Sequence, residues 1–202
     1  AGGVMAESYR NDSDDRICVS VGVPLPSYSM KIISTKSGEI LPVNTIGEIC
    51  VRSPCTMKEY FDMPEKTAET IDAEGWVHTG DLGCMAADGY VQITGRLKDM
   101  IIRGGENIYP REIEDKLVEH KDVVEAAVFG VPDSRWGEKV VAAVRLVPGV
   151  TLNSEMLMSF LEGKLARHKI PKDWIAVEVL PVNASGKIQK FVLAEQFMNQ
   201  AR

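Results

Sequence analysis

Two apolar runs constrain this chain more than any other feature. VVEAAVFGV (123–131) and KVVAAVRLV (139–147) are nearly unbroken by polar residues and rich in valine. β-branched residues favour extended backbone, and a strand with no polar side has to be covered on both faces. The flanking sequence supplies the cover. YPREIEDKLVEH reads as a helix with Pro110 at its start, acids in its first turn, and Ile113, Leu117 and Val118 as its apolar stripe. Asn153 or Ser154 can cap a second helix whose buried face is Leu157, Phe160, Leu161 and Leu165. WIAVEVL (174–180) reads as a third strand, and a last helix starts near Phe191. The order helix, strand, strand, helix, strand, helix predicts a compact α/β domain built on a three-stranded sheet.

Upstream the pattern changes. Residues 1–16 are small and polar and read as loop. SYSMKIIS (27–34) and GEICVRS (47–53) read as strands separated by the turn TKSGE, with Pro24, Pro26, Pro42 and Pro54 at edges and turns. PEKTAETIDA (64–73) predicts a short helix opened by Pro64, and Asp88-Gly89 marks a hairpin between two alternating segments. This is a small antiparallel β unit. The expected fold class is therefore α+β: a β-rich unit over 1–97, then a compact α/β domain over 98–202.

Bulk properties exclude several function classes. Hydrophobic residues at 45% and charged residues at 26% suit a globular chain, and a formal net charge of -6 argues against a nonspecific grip on nucleic acid. No apolar run reaches the ~20 residues of a transmembrane segment. The N-terminal stretch has neither a starting Met nor a basic-then-apolar leader, so the chain is expected to begin inside a longer protein. Cys18, Cys50, Cys55 and Cys84 form no CxxC pair and have no His at metal-ligand spacing. They read as reduced thiols in a reducing compartment, the cytoplasm or, in a eukaryote, the mitochondrial matrix. His78, His120 and His168 read as structural or exposed, and no metal ligand is expected among them.

The unusual residues cluster. Thr79-Gly80-Asp81 comes first, then Gly95-Arg96-Leu97-Lys98-Asp99, then Arg103-Gly104-Gly105-Glu106-Asn107-Ile108-Tyr109-Pro110, and finally Asn183-Ala184-Ser185-Gly186-Lys187-Ile188. Singly, each has a plain reading: an Asx turn, a glycine loop, a solvated lysine. Ser185-Gly186-Lys187 looks like the tail of a P-loop, but the upstream glycine and the Ser/Thr after the lysine are absent, which rejects that motif.

In series they say more. GEICVRSP, EGWVHTGDLG, ITGRLKDMIIRGGENIYPREIE and NASGKIQK, in that order, resemble the AMP-forming adenylation superfamily of acyl-CoA synthetases, luciferases and peptide-synthetase adenylation domains. The resemblance runs from near Val21 to the last helix, about nine-tenths of the chain. It implies that Asp81 holds the ribose hydroxyls of ATP and that Arg96 contacts the same nucleotide. A carboxylate accepts two hydroxyl bonds with charge assistance, and a guanidinium fork suits ribose and phosphate oxygens. Lys98 matches the family's hinge. Gly104 and Gly105, with Glu106 beside them, match the path of the pantetheine arm of coenzyme A. Lys187 matches the lysine that meets the α-phosphate and is the expected catalytic residue. Trp136 and the run Arg167-His168-Lys169 are candidates for the nucleotide end of coenzyme A; a packing role for Trp136 and a solvated helix end for the run are the alternatives.

The implied reaction joins a small carboxylic acid to coenzyme A at the expense of ATP, with Mg²⁺ on the leaving phosphates. YFDMPEKTAET and RGGENIYP look most like fatty-acid or aryl-acid CoA ligases, and of these the fatty-acid ligases are the expected class. The family's Gly- and Ser/Thr-rich phosphate loop is missing, as are nearly all of the acyl pocket and the tyrosine motif that Ala1-Gly2-Gly3 would follow. The expected partner is thus a missing N-terminal domain, and the 202 residues alone are not expected to adenylate. Two rivals stay open: an adenylation domain that loads a carrier protein, disfavoured because no carrier domain follows Arg202, and an isolated nucleotide- or CoA-binding module without catalysis.

Overall fold

Short β runs bounded by proline and glycine fold as antiparallel strands in the first half. The computed structural model describes residues 5–200, so Ala1-Gly2-Gly3 lies outside it. Its elements begin with β1 (Ala6–Glu7), α1 (Asp14–Val19), β2 (Val23–Pro24), β3 (Ser29–Ile33), β4 (Gly47–Arg52), α2 (Pro64–Thr70), β5 (Val77–Met85) and β6 (Val91–Arg96). A short 3₁₀ turn over Leu97–Asp99 follows. The rest comprises β7 (Ile101–Arg103), β8 (Glu106–Ile108), α3 (Pro110–Leu117), β9 (Val123–Asp133), β10 (Gly137–Leu146), α4 (Ser154–Leu161), β11 (Asp173–Ala176) and α5 (Lys190–Gln200). The residues gather into two compact units, Ala1–Leu97 and Lys98–Arg202. No helix among the described residues is long and apolar enough to cross a membrane.

In the first unit β3-β4-β5-β6 form an antiparallel sheet in sequence order, and β1 pairs with β2. Ile32, Ile49, Val51, Val77 and Val91 pack as its core. The loop expected through residue 16 is partly ordered. The Ser13 hydroxyl accepts from the Arg16 N–H and caps α1, whose first turn carries Asp14 and Asp15 where acids complement the helix dipole.

In the second unit β9 and β10 are the paired apolar strands, antiparallel with Val141 opposite Phe129 and Ala142 opposite Val128. Their side chains alternate between two cores. Val128, Val140, Ala142 and Val144 meet Ile113 and Leu117 of α3 and Leu157 and Leu161 of α4. Ala127, Phe129, Val141 and Ala143 meet Leu193 of α5 and Leu180. The sheet has five strands, not three: β11 joins β10 in parallel, and a β7–β8 hairpin is added through the pairing of Arg103 with Gly137. That hairpin is built from residues read in the sequence only as a ligand motif. Two details of the expected helices change. Val118 caps α3 and is 47% exposed, so the buried stripe is Pro110, Ile113 and Leu117. Leu165 is buried but falls beyond α4, which Asn153 caps.

Candidate functional site

The Thr79-Gly80-Asp81 segment is a bulge inside β5. Glu48 of β4 pairs with Leu82 and Cys50 pairs with His78, so three residues of β5 face Ile49 alone. Two extra residues leave backbone groups without ladder partners, and side chains take their place. Glu48 Oε1 accepts from the Gly80 N–H at 3.1 Å. The Thr79 hydroxyl donates to the Ile49 carbonyl at 2.7 Å and accepts from the Asp81 N–H at 3.1 Å. Gly80 has φ +70°, which a glycine adopts without strain.

This bulge brings two of the expected residues together. Asp81 pairs with Arg96 across β5–β6, and Arg96 Nε lies 3.0 Å from Asp81 Oδ1. Both side chains remain partly open to solvent. The result is a rigidly supported carboxylate beside a guanidinium fork, a pair able to take up hydroxyl and phosphate oxygens.

Beneath the bulge is a group that sequence reasoning missed. Glu48, buried at 7% exposure, accepts a hydrogen bond from His78 Nδ1 at 2.9 Å, and Cys50 Sγ lies 3.7 Å from the same nitrogen. His78 Nε2 is 3.9 Å from Asp72 Oδ2. Glu48, Cys50 and His78 present one ligand atom each within 4.8 Å of one another, a cluster that their separation in sequence hid. Burial, reinforced by the Glu48 charge, pushes the Cys50 thiol up to about 12. The signal for Glu48 in the sequence was a lone charge within the apolar run GEICV.

In the second unit Gly104 and Gly105 form the two-residue turn between β7 and β8, at φ +60° and +87°. Both central residues at positive φ define a type I′ hairpin, the turn that strongly prefers glycine. Glu106 is exposed and pairs in register with Arg103. Trp136 is packed on this turn. Its carbonyl accepts from the Gly104 N–H at 2.7 Å, and a Cβ on Gly104 would come within 3.0 Å of its ring. The Arg103 and Arg135 guanidinium groups lie over that ring, 5.5 and 4.8 Å from its centroid. Asp133 accepts from the backbone N–H groups of Trp136 and Arg135, which fixes the turn and holds its carboxyl below the usual range. Arg103, Trp136, Lys139 and Lys172 line one concavity with Asp133 and Asp173. The basic run is not uniform: Lys169 is bound by both oxygens of Glu112 at 2.7–2.8 Å, while Arg167 and His168 are exposed.

Lys187 is exposed at the rim of a loop organised by Asn183. Asn183 Oδ1 accepts from the Ser185 N–H, the Ser185 hydroxyl and the Lys187 N–H at 2.8–3.0 Å. Three residues on, Lys190 reaches Glu114 at 2.6 Å, and Glu114 also accepts from the Val128 N–H. This fastens the base of the loop to α3 and β9, a tie the sequence did not reveal. Lys98 is exposed in the 3₁₀ turn at the start of the second unit.

A bulge-held aspartate, a glycine turn and a lysine loop define a class, and the comparisons agree on it. Residues 1–61 match the family described as AMP-binding enzyme, and residues 112–187 match the AMP-binding enzyme C-terminal domain. The chain belongs to the AMP-binding enzyme family, whose members form adenylates. Among its relatives is the mitochondrial medium-chain acyl-CoA ligase ACSF2 of Rattus norvegicus, 43% identical over 94% of this chain and 31% of the relative. The putative acyl-CoA synthetase YngI of Bacillus subtilis is 43% identical over 96% of this chain and 35% of the relative. ATP-bound MatB from Rhodopseudomonas palustris superposes with a TM-score of 0.85 at 42% identity, over 91% of this chain and 36% of that one. The Bacillus subtilis o-succinylbenzoate CoA synthetase MenE, in complex with its acyl-adenylate OSB-AMP, gives 0.79 at 36% identity, over 89% and 35%. The chain spans about a third of the length of the curated relatives it matches.

Proposed function

We propose that the protein carrying this chain is an ATP-dependent carboxylic acid–CoA ligase that works through an acyl-adenylate. The 43% identity with a medium-chain acyl-CoA ligase over 94% of the chain carries this reading. The geometry of each unit supports it. In the first step a carboxylate oxygen attacks the α-phosphorus of ATP and pyrophosphate leaves. Asp81 takes the ribose hydroxyls and Arg96 turns toward nucleotide oxygens. The Lys187 ammonium offsets charge concentrated between the α-phosphate and the attacking carboxylate, where a preorganised cation contributes most. In the second step the thiol of coenzyme A attacks the acyl carbon and AMP leaves. The Gly104-Gly105 turn passes the pantetheine arm, and Trp136 with Arg103 and Arg135 meets the nucleotide end. Lys98 is the pivot between the orientations that serve the two steps. Residues 1–97 are the end of a large adenylation domain in this reading, and 98–202 are its small mobile domain.

Among the described residues Mg²⁺ finds no fitting ligand set. Asp81 is engaged with Arg96, and the Glu48 cluster offers one carboxylate beside a thiol and an imidazole, whereas Mg²⁺ takes oxygen ligands.

The test uses the full-length enzyme with ATP, coenzyme A and medium-chain fatty acids, following pyrophosphate, AMP and acyl-CoA. All three should appear in equal amounts. Release of ADP, or acyl transfer to an amine in preference to coenzyme A, would overturn the reading.

A further inference from the structure

We propose that Glu48, with His78 as its partner, is a positioning residue for the nucleotide site. The proposal rests on the reading of Asp81 as the ribose ligand. It goes beyond that reading by assigning the device that aims Asp81.

The need for such a device follows from the bulge. Asp81 sits on the last of three residues facing a single residue of β4, so only the β6 ladder, where it pairs with Arg96, reaches its backbone. On the β4 side, side-chain bonds take the place of the ladder. The Thr79 hydroxyl ties the Asp81 N–H to the Ile49 carbonyl. Glu48 holds the N–H of Gly80, the residue just before Asp81. One Glu48 oxygen serves Gly80 and the other serves His78, so the buried carboxylate is used at both ends. A buried carboxylate is costly unless its oxygens are hydrogen-bonded, and these two contacts meet that condition. His78 in turn has a second carboxylate, Asp72, near Nε2. The chain of contacts runs Asp72, His78, Glu48, Gly80 and ends one residue from the functional carboxylate.

A general scaffolding role would lower stability and affect every substrate alike. A positioning role is selective: loss of the Glu48–Gly80 bond lets Asp81 drift and weakens nucleotide binding, while the acid and coenzyme A are unaffected. In the full-length enzyme, Glu48→Gln should raise the KM for ATP about tenfold, the scale of one charge-assisted hydrogen bond, with the KM for acid and for coenzyme A within about twofold. His78→Leu, which leaves Glu48 without its imidazole, should act in the same direction. His78→Gln, whose amide can still donate to Glu48, should restore most of the ATP affinity. The His78 pair keeps the proposal testable if Glu48→Gln fails to fold. An unchanged KM for ATP in His78→Leu, or an equal rise in all three KM values, overturns the proposal. Asp81→Ala separates the two layers. If it leaves the KM for ATP unchanged, the ribose reading fails. If it weakens ATP while Glu48→Gln and His78→Leu do not, only the positioning role fails.

Discussion

Lys187 and Gly105 lie in loops of different construction, and the difference predicts separable defects. Lys187 contributes only its charge, so Lys187→Ala in the full-length enzyme should slow acyl-adenylate formation by about a hundred- to a thousandfold. Thioester formation from supplied acyl-adenylate should remain near normal. Gly105 contributes both space and a positive φ. Gly105→Leu should therefore block the second half-reaction. Gly105→Asn, which tolerates the left-handed region, tests whether turn strain or bulk is responsible. Measuring pyrophosphate and acyl-CoA separately decides both cases; equal losses in both half-reactions with the fold intact would refute the assignment. Cys50 gives an independent check on the first unit. Its thiol is raised from an ordinary value near 9 to about 12, so iodoacetamide at pH 8 should label exposed Cys18 and Cys55 and spare Cys50 until denaturant is added. The unfolded chain releases this proton near 9 and the folded chain holds it to about 12, so the contribution is present below 9 and is lost as pH rises through that window. The types of Asp81, Arg96 and Lys187 were legible in the sequence because their motifs are local. Glu48 was not, because its partners His78 and Gly80 are 30 and 32 residues away.

Helix α4 shows how packing decides which apolar residues matter. Leu161 is fully buried between α4 and the β9–β10 face. Leu161→Ala should cost about 2–5 kcal/mol in a urea titration, the usual range for a buried leucine cavity. Val118→Ala, at an exposed cap, should stay within about 0.5 kcal/mol. Comparable losses at both positions would contradict the burial pattern. The same contrast explains which elements could be read in advance. β9 and β10 were plain because unbroken apolar runs leave no polar face, and their alternation sorts cleanly between two cores. β7 and β8, at three residues each, carry too little pattern to register as strands. β11 stops at Ala176 although the apolar run continues to Leu180, because the chain leaves the sheet and exposes Val179. α1 was hidden because its only signals are a serine cap and two acids in a polar stretch.

At the scale of the whole molecule, the two units carry separate pieces of the proposed chemistry. The 202 residues include no glycine-rich phosphate loop, so this chain alone, given a medium-chain acid, ATP and Mg²⁺, should release no pyrophosphate above background. Turnover by the purified chain would refute the assignment of the missing functions to residues outside it. Lys98 opens the second unit, and proline there restricts both its own φ and the residue before it. Lys98→Pro in the full-length enzyme should depress one half-reaction far more than the other. Equal depression of both, with the fold intact, would place the pivot elsewhere. The extent of each unit could be read from the change in patterning near residue 97. The tie between Lys190 and Glu114 could not, since nothing local to either residue announces a partner 76 positions away.

The bulge at residues 79–81 also bears on which length changes this protein can survive. It adds an even number of residues to β5, so the strand's inward and outward positions stay in phase on either side. Deleting a single residue there would reverse the facing of everything from Leu82 onward. Deleting two would restore an unbroken ladder and a foldable strand, but with the aspartate gone from its perch. Odd changes in length here would be lost with the fold, whereas even ones would keep the fold and remove the bulge that presents Asp81.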